Sequence, residues 1–317
     1  MEHSKFGTTL SNPNKVNKTK SRKIDKMVRA GLKLVTILSA SIIFFIIFFI
    51  AQRGIKPFIG YGGLNVSLSS FLTGNTYFQL PNVYGIGFVI LNTLIVVFFA
   101  VLISAPIGVL TALFISRMMP KPFNGVFLVI VEMLASIPSI IYGVFGAGFI
   151  TKMVNGLASL LGMQTAGGLS GLSVILVLAM MILPTITLMS VTSINAVNRD
   201  IELGSMALGA TDTYTFFKIS LPVAKSGIFA GIILGVGRAL GEATAVSMVA
   251  GNAGTGPNIN LFDTTRTLTS SMLLGLKETT GLDYDIRFSI GIVLIMVILI
   301  SNMALNYVKK KVGRKYV

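Results

Sequence analysis

Residues 85–115 read GIGFVILNTLIVVFFAVLISAPIGVLTALFI, a run without a single Lys, Arg, Asp or Glu. A helix rising about 1.5 Å per residue needs about 20 apolar residues to cross a hydrocarbon core of about 30 Å. The run predicts a transmembrane helix with length to spare, taken up by tilt or by extension into a loop. The charge-free region reaches further, from Lys56 to Arg117, and a second one runs from Lys152 to Arg199. Composition agrees: 53% of the 317 residues are hydrophobic and 12% charged. A soluble domain carries about 25% charged residues, so this chain has too few to cover a surface that faces water. The predicted fold class is an all-α integral membrane protein with six transmembrane helices, near 34–51, 85–115, 126–150, 169–191, 226–250 and 288–308.

The absence of cysteine excludes a disulfide framework, a thiolate metal site and a thiol nucleophile. The one histidine, His3, lies in a polar N-terminal stretch and is assigned no role. The net charge of +15 invites a nucleic-acid reading, so the location of the charge decides. With the N-terminus inside, the inner segments 1–33, 116–125, 192–225 and 309–317 carry 9, 2, 3 and 5 Lys or Arg. The outer segments 52–84, 151–168 and 251–287 carry 2, 1 and 3. That bias follows the positive-inside rule and predicts both termini in the cytoplasm. The charge then belongs to topology and to anionic membrane lipid, and nucleic acid is not an expected partner. Residues 1–33 read as a basic cytoplasmic tail. The run Leu34–Ala51 is too long for a signal-peptide core and lacks a small-residue cleavage site, so it reads as a retained first span.

The inner segment 192–225 is far longer than a simple helix connection. Asn198 or Asp200 can cap a short helix that Gly209 ends, and Thr211 or Asp212 can cap a second. Pro222 should interrupt that second helix before the next span. On physical grounds alone the product is an amphipathic surface hairpin with exposed polar ends.

The fifth span holds Gly227, Gly231, Gly235, Gly237, Arg238, Gly241, Glu242 and Thr244. At about 100° per residue, Gly227, Gly231, Gly235, Arg238 and Glu242 share one helix face. The glycines there permit close helix packing, and the two charges stand at a spacing that allows them to pair. Two readings stay open: a structural ion pair on a packing face, or an arginine that meets a passing anion while Glu242 holds it between substrates. In the third span Pro138 should kink the helix, with Ser136 and Ser139 available to freed backbone groups. Glu132 stands near its inner end, either reaching the interface or facing a pathway.

Three strings carry a family resemblance. Gly209, nine residues, then Ile219-Ser-Leu221-Pro222 is similar to the "EAA" loop of importer-type ABC permeases. Here Leu203, Gly204 and Ser205 stand at the Glu-Ala-Ala positions, with Glu202 one residue early. Gly237-Arg-Ala-Leu-Gly-Glu242-Ala-Thr-Ala-Val246 resembles the signature of high-affinity phosphate permeases. Glu132-x-Leu-Ala-x-Ile-Pro-Ser-x-x-Tyr-Gly143 resembles the PstC type among them, over roughly residues 70–310.

The resemblance implies a type I ABC importer permease in a bacterial cell membrane. Arg238, Glu242, Glu132 and Thr244 would line the translocation pathway. Glu202, Leu203, Gly204, Ser205, Ala207, Gly209, Ala210, Thr211 and Asp212 would couple to an ATPase. Gly227, Gly231, Gly235, Gly241 and Pro138 would shape helix packing. Its implied partners are a second permease subunit of the PstA type, two ATP-binding subunits of the PstB type and an extracellular phosphate-binding lipoprotein of the PstS type. No Gly-x-x-x-x-Gly-Lys-Ser/Thr loop occurs, so the chain is expected to bind no cofactor, with ATP and Mg on the ATPase subunits. A permease for sulfate or molybdate is the nearest alternative; a secondary transporter would require inverted repeats.

Overall fold

A computed structural model describes residues 18–60 and 66–313, and the first half of the predicted basic tail lies outside them. The chain divides into two compact units, Met1–Ile50 and Ala51–Val317. Helix α1 runs Lys18–Ile59, so residues 18–33 continue the first span as helix where a tail was expected. In the first unit its apolar side chains are exposed on every side, among them Leu38, Ile42, Phe44 and Ile46. A helix apolar all round suits lipid as its solvent.

The second unit opens with a short helix α2 (Leu68–Thr73) and a two-stranded antiparallel hairpin, β1 (Tyr77–Phe78) and β2 (Val83–Tyr84), with Tyr77 opposite Tyr84. Helix α3 (Gly87–Leu113) continues through a π-helical turn to Met118. Then follow α4 (Lys121–Ser136), α5 (Ser139–Phe145), a π-turn over Gly146–Ile150, and α6 (Thr151–Leu160). Helix α7 (Gly171–Asn195) leads to α8 (Arg199–Ala207) and α9 (Asp212–Thr215). A third π-turn, Phe216–Ser220, joins α9 to α10 (Leu221–Gly241). Helices α11 (Thr244–Val249), α12 (Leu268–Leu273) and α13 (Gly281–Gly313) complete the chain. Six helical runs among the described residues are long and apolar enough to cross a membrane, the number the sequence predicted.

Helix α7 is the axis of the second unit. The Ser170 side chain accepts from the Ser173 amide and so starts it. Ile175, Leu178, Met181, Ile182 and Ile186 are buried among Val96, Val97 and Ala100 of α3, Val236, Ala239 and Leu240 of α10, and Ala245, Val246 and Val249 of α11. Two further clusters close the ends: one around Phe71, Tyr77, Tyr84, Ile86 and Ile286 beside the hairpin, the other around Leu113, Ile115, Val191, Ile194 and Ile228 beside α8.

Two spans differ from expectation. The third does not kink at Pro138; it breaks. Ile137 is extended, Pro138 becomes the residue before a new helix, and the candidate span is Ser139–Leu160, with Pro122–Ser136 as a separate shorter helix. Ser136 donates to the Met133 carbonyl, one of the groups left at the break. The residue before a proline is driven out of helical geometry, and Ile137 yields fully because two helices can restart independently around it.

The fifth span runs Asp212–Gly241 instead of 226–250. Pro222 does not interrupt it. A proline clashes with the carbonyl four residues back, but the preceding π-turn shifts the ladder, so that the Leu221 amide bonds to the Phe216 carbonyl. The second helix of the inner loop is therefore the first turn of the fifth span itself. At its other end the run stops at Gly241, and α11 begins as a separate helix.

Candidate translocation site and coupling loop

Arg238 stands in the last turn of α10 and donates from Nη1 to the Thr185 Oγ1 of α7 at 2.8 Å. Thr185 lies about 21 Å along α7 from Gly171 and about 15 Å from Asn195, at about 1.5 Å per residue. The guanidinium is thus held near the middle of a membrane-spanning helix. A charge at that depth costs about 2.5–3.5 kcal/mol even by lenient measures.

The expected pairing with Glu242 does not form: the ion pairs of the described residues join Arg53 to Asp285 and Arg117 to Glu202. The reason is the helix break. Glu242 has φ −76° and ψ 116°, outside helical geometry, so the i, i+4 relation that would bring the two side chains together is lost. Its carboxylate instead accepts from the Ala245 amide at 2.9 Å and caps α11. Each charge therefore meets the helix end that suits it. The cation lies at the carboxyl end of α10 and the anion at the amino end of α11, where the helix dipole favours each. The Glu242 carbonyl accepts from Thr269 of α12 at 2.7 Å, fixing the break to the rest of the bundle.

Arg238 thus keeps a half-buried guanidinium whose other N–H groups have no partner among the described residues. The charge reaches the phenol of buried Tyr142 on α5, the helix that restarts after Pro138. Two interrupted spans, α4–α5 and α10–α11, meet here, since α11 packs on α5: a Cβ at Gly143 would lie 2.9 Å from the Ala245 Cα. Broken helices at mid-depth are how membrane transporters present polar groups to substrate. Thr244 is half-buried as the first residue of α11. Glu132 is exposed on α4 and pairs with no cation among the described residues.

Three of the α10 glycines lie against α7. A Cβ on Gly231 would lie 2.7 Å from the Met189 Cβ, one on Gly235 would lie 3.0 Å from Ile186, and one on Gly227 would strike Ser193. These three let α10 lie close on α7. Gly241 does not belong with them, because a Cβ there meets nothing within 4 Å. It sits where the helix ends, past the packing face.

At the other end of α10 the short helices form as the residues predicted. Asn198 accepts from the Asp200 amide at 3.0 Å, Gly209 takes φ +89°, and Thr211 accepts from the Tyr214 amide at 3.3 Å. Ser205 and Thr215 hydroxyls share a hydrogen bond of 3.0 Å that ties α8 to α9. Leu203, Gly204, Ala207, Gly209, Thr211 and Asp212 are exposed, while Ser205 and Ala210 are half-buried. With Leu208 at 91% and Tyr214 at 55% exposure, the tip presents apolar and polar groups together.

Glu202 departs from this pattern. It is buried and accepts from Arg117 Nε at 2.8 Å and from Ser220 at 2.7 Å, so its own carboxylate is not free at the tip. Arg117 also donates to Asn195 and to the Ile194 carbonyl. One carboxylate thus ties together the ends of α3 and α7, helix α8 and the π-turn that leads into α10. Neither Arg117 nor Thr185 was marked by the sequence, because each acquires its role only through contacts distant along the chain.

Comparison with known proteins bears on this geometry. The family described as "Binding-protein-dependent transport system inner membrane component" matches residues 104–316. A Bacillus subtilis (strain 168) protein named "Probable ABC transporter permease protein YqgH" is 32% identical over 265 residues, covering 83% of this chain and 84% of the relative. The "Phosphate transport system permease protein PstC" of Pasteurella multocida is 31% identical over 272 residues, covering 78% and 82%. Among solved structures, a bacterial alginate ABC transporter in complex with an alginate pentasaccharide-bound periplasmic protein contains a chain of the same fold. It has a TM-score of 0.61 at 19% identity, covering 92% of this chain and 99% of that one.

Proposed function

The chain belongs to the binding-protein-dependent transport system inner membrane components, and from that premise we propose that it conducts inorganic phosphate through an ATP-driven importer. The observation that carries the reading is the guanidinium of Arg238, held at mid-depth by Thr185 where two broken spans meet, with donors to spare. Arg is suited to this task because its planar, permanently charged fork can give two parallel hydrogen bonds to an oxyanion. The names of several relatives at about 30% identity, phosphate transport permeases of the PstC type, supply the substrate.

Family members are permease components that work with a binding protein, and ATP hydrolysis belongs to partner subunits. The assembly proposed here pairs this chain with a PstA-type permease, two PstB-type ATPases and a PstS-type external lipoprotein. The exposed tip of α8 and α9 seats in the ATPase, and both termini lie in the cytoplasm. ATP and Mg bind the ATPases, and this chain binds no cofactor. Because α9 is continuous with α10, a tilt of the tip moves the helix that carries Arg238 without an intervening hinge.

Uptake of radiolabelled phosphate by proteoliposomes holding the complete complex, with sulfate and molybdate as competitors, tests the reading. Phosphate accumulation that requires ATP and the binding protein supports it; accumulation of sulfate or molybdate alone overturns the substrate assignment.

A further inference from the structure

At the hairpin end, opposite the α8–α9 tip, Tyr77, Asn252, Arg266, Gly275 and Arg287 line a cavity of about 430 Å³. The Nε and Nη1 of Arg266 and the Oη of Tyr77 are buried without a hydrogen-bond partner among the described residues. The Arg266 guanidinium lies over the Tyr77 ring, 4.8 Å from its centre. Arg287 is 3% exposed and anchored on three sides, by Ser271 and Leu274 carbonyls through Nη1 and by Thr279 through Nε. Its Nη2 has no partner among the described residues and faces Gly275, where a Cβ would stand 3.0 Å away at φ +68°. Asn252 adds a buried, unpartnered Oδ1.

Two guanidinium groups so close act on each other. Burial first, and the Arg287 charge after it, disfavour the charged state of Arg266, while the Tyr77 phenol beside it acts in the opposite sense. Asp283 acts on Tyr77 from nearby and Glu278 stands close to Gly275, but no carboxylate lines the cavity. Buried donors left unpaired are destabilising, the more so when charged. The cavity thus gathers two guanidinium groups and an unpartnered phenol around a small-residue opening, a donor set that suits an oxyanion.

We propose that Arg266, Arg287 and the Tyr77 hydroxyl hold a tetrahedral oxyanion of the phosphate type in this cavity, a receiving site separate from Arg238. The Asn252 Oδ1, an acceptor, suits an anion that still carries a proton. The site rests on the importer reading for its purpose, since it stands at the end where an external binding protein would release its cargo.

The test uses the full permease–ATPase complex without binding protein, in phosphatidylcholine nanodiscs, and measures equilibrium binding of radiolabelled inorganic phosphate. An Arg238→Ala background removes the mid-depth contact. That complex is expected to retain saturable binding, Arg266→Gln to weaken it at least about tenfold, and Arg266→Lys to restore part of it. Arg266→Gln should leave assembly of the permease–ATPase complex unchanged. Binding that vanishes with Arg238→Ala alone, or that persists undiminished in the double variant, overturns the proposal. So does an Arg266→Gln effect confined to docking of the binding protein. Loss of phosphate binding when phosphatidylglycerol is added, with lipid phosphorus retained through Arg266, would assign the cavity to a headgroup and overturn the receiving role. Sulfate binding in place of phosphate, still dependent on Arg266, would uphold an oxyanion site while overturning phosphate as the cargo.

Discussion

Arg117 and Glu202 form a 2.8 Å ion pair with side-chain exposures of 15% and 5%, joining the turn that ends α3 to α8, the first helix of the loop before α10. Ser220 hydrogen-bonds to the same carboxylate oxygen, so the loop is clamped from two sides. The loop therefore has an anchored base and an exposed tip, which is what a lever requires.

Removing one member of this pair leaves the other buried without its opposite charge, a loss of about 3–5 kcal/mol. Glu202→Ala should lower the thermal stability of the purified complex and weaken coupling of ATP hydrolysis to transport. Arg117→Ala combined with Glu202→Ala should recover part of the loss, and a thermal-unfolding double-mutant cycle measures the interaction. Strictly additive losses would show that the pair is incidental.

The glycine face of α10 makes a steric prediction. Gly231→Val drives side-chain carbon into Met189 and should cost about 1–3 kcal/mol. Gly241→Ala meets open space and should be tolerated. Expression level and unfolding temperature of the two variants distinguish them.

Glu242 caps α11 and makes no pair with Arg238, so its acceptor oxygen matters more than its charge. Glu242→Gln keeps an acceptor and should transport at near the normal rate. Glu242→Ala removes the cap, worth about 1 kcal/mol, and should impair uptake. Equal damage from both substitutions would restore the counter-charge role.

Tyr84 on the hairpin donates to Asp283. Burial first, then this hydrogen bond and the Asp283 charge, push its phenol above the ordinary 10.0. The stabilisation is fully present below about pH 10 and is lost only as pH climbs through the raised value. Unfolding temperature should thus not vary through this group between about pH 6 and about pH 9. Tyr84→Phe should lower stability by about 1–3 kcal/mol throughout that window.

Much of this molecule is legible in its sequence. The six spans follow from charge-free length, and the loop helices from Asn198, Gly209 and Thr211, because each of these signals is local. The breaks at Ile137 and Glu242 are harder to read. Pro138 announces a disturbance without fixing its size, and Glu242 leaves the helix only because Thr269 and Ala245 receive its backbone and side chain. The π-turn at Phe216–Ser220 has no sequence mark, so Pro222 reads as an interruption that the structure absorbs. Glu202 looks free at the tip until Arg117 and Ser220, far along the chain, arrive on the same oxygen. Arg266 and Arg287 read as loop charges, because their convergence depends on how the hairpin, the loop after α11, and α13 pack together.

The central claim is that the Arg238 guanidinium meets the transported anion at mid-depth. Arg238→Ala in the complete complex, reconstituted in proteoliposomes with saturating binding protein and ATP, tests it most directly. Radiolabelled phosphate uptake should fall at least about tenfold, while binding-protein-stimulated ATP hydrolysis persists. Uptake at the wild-type rate by a correctly assembled Arg238→Ala complex would contradict the account.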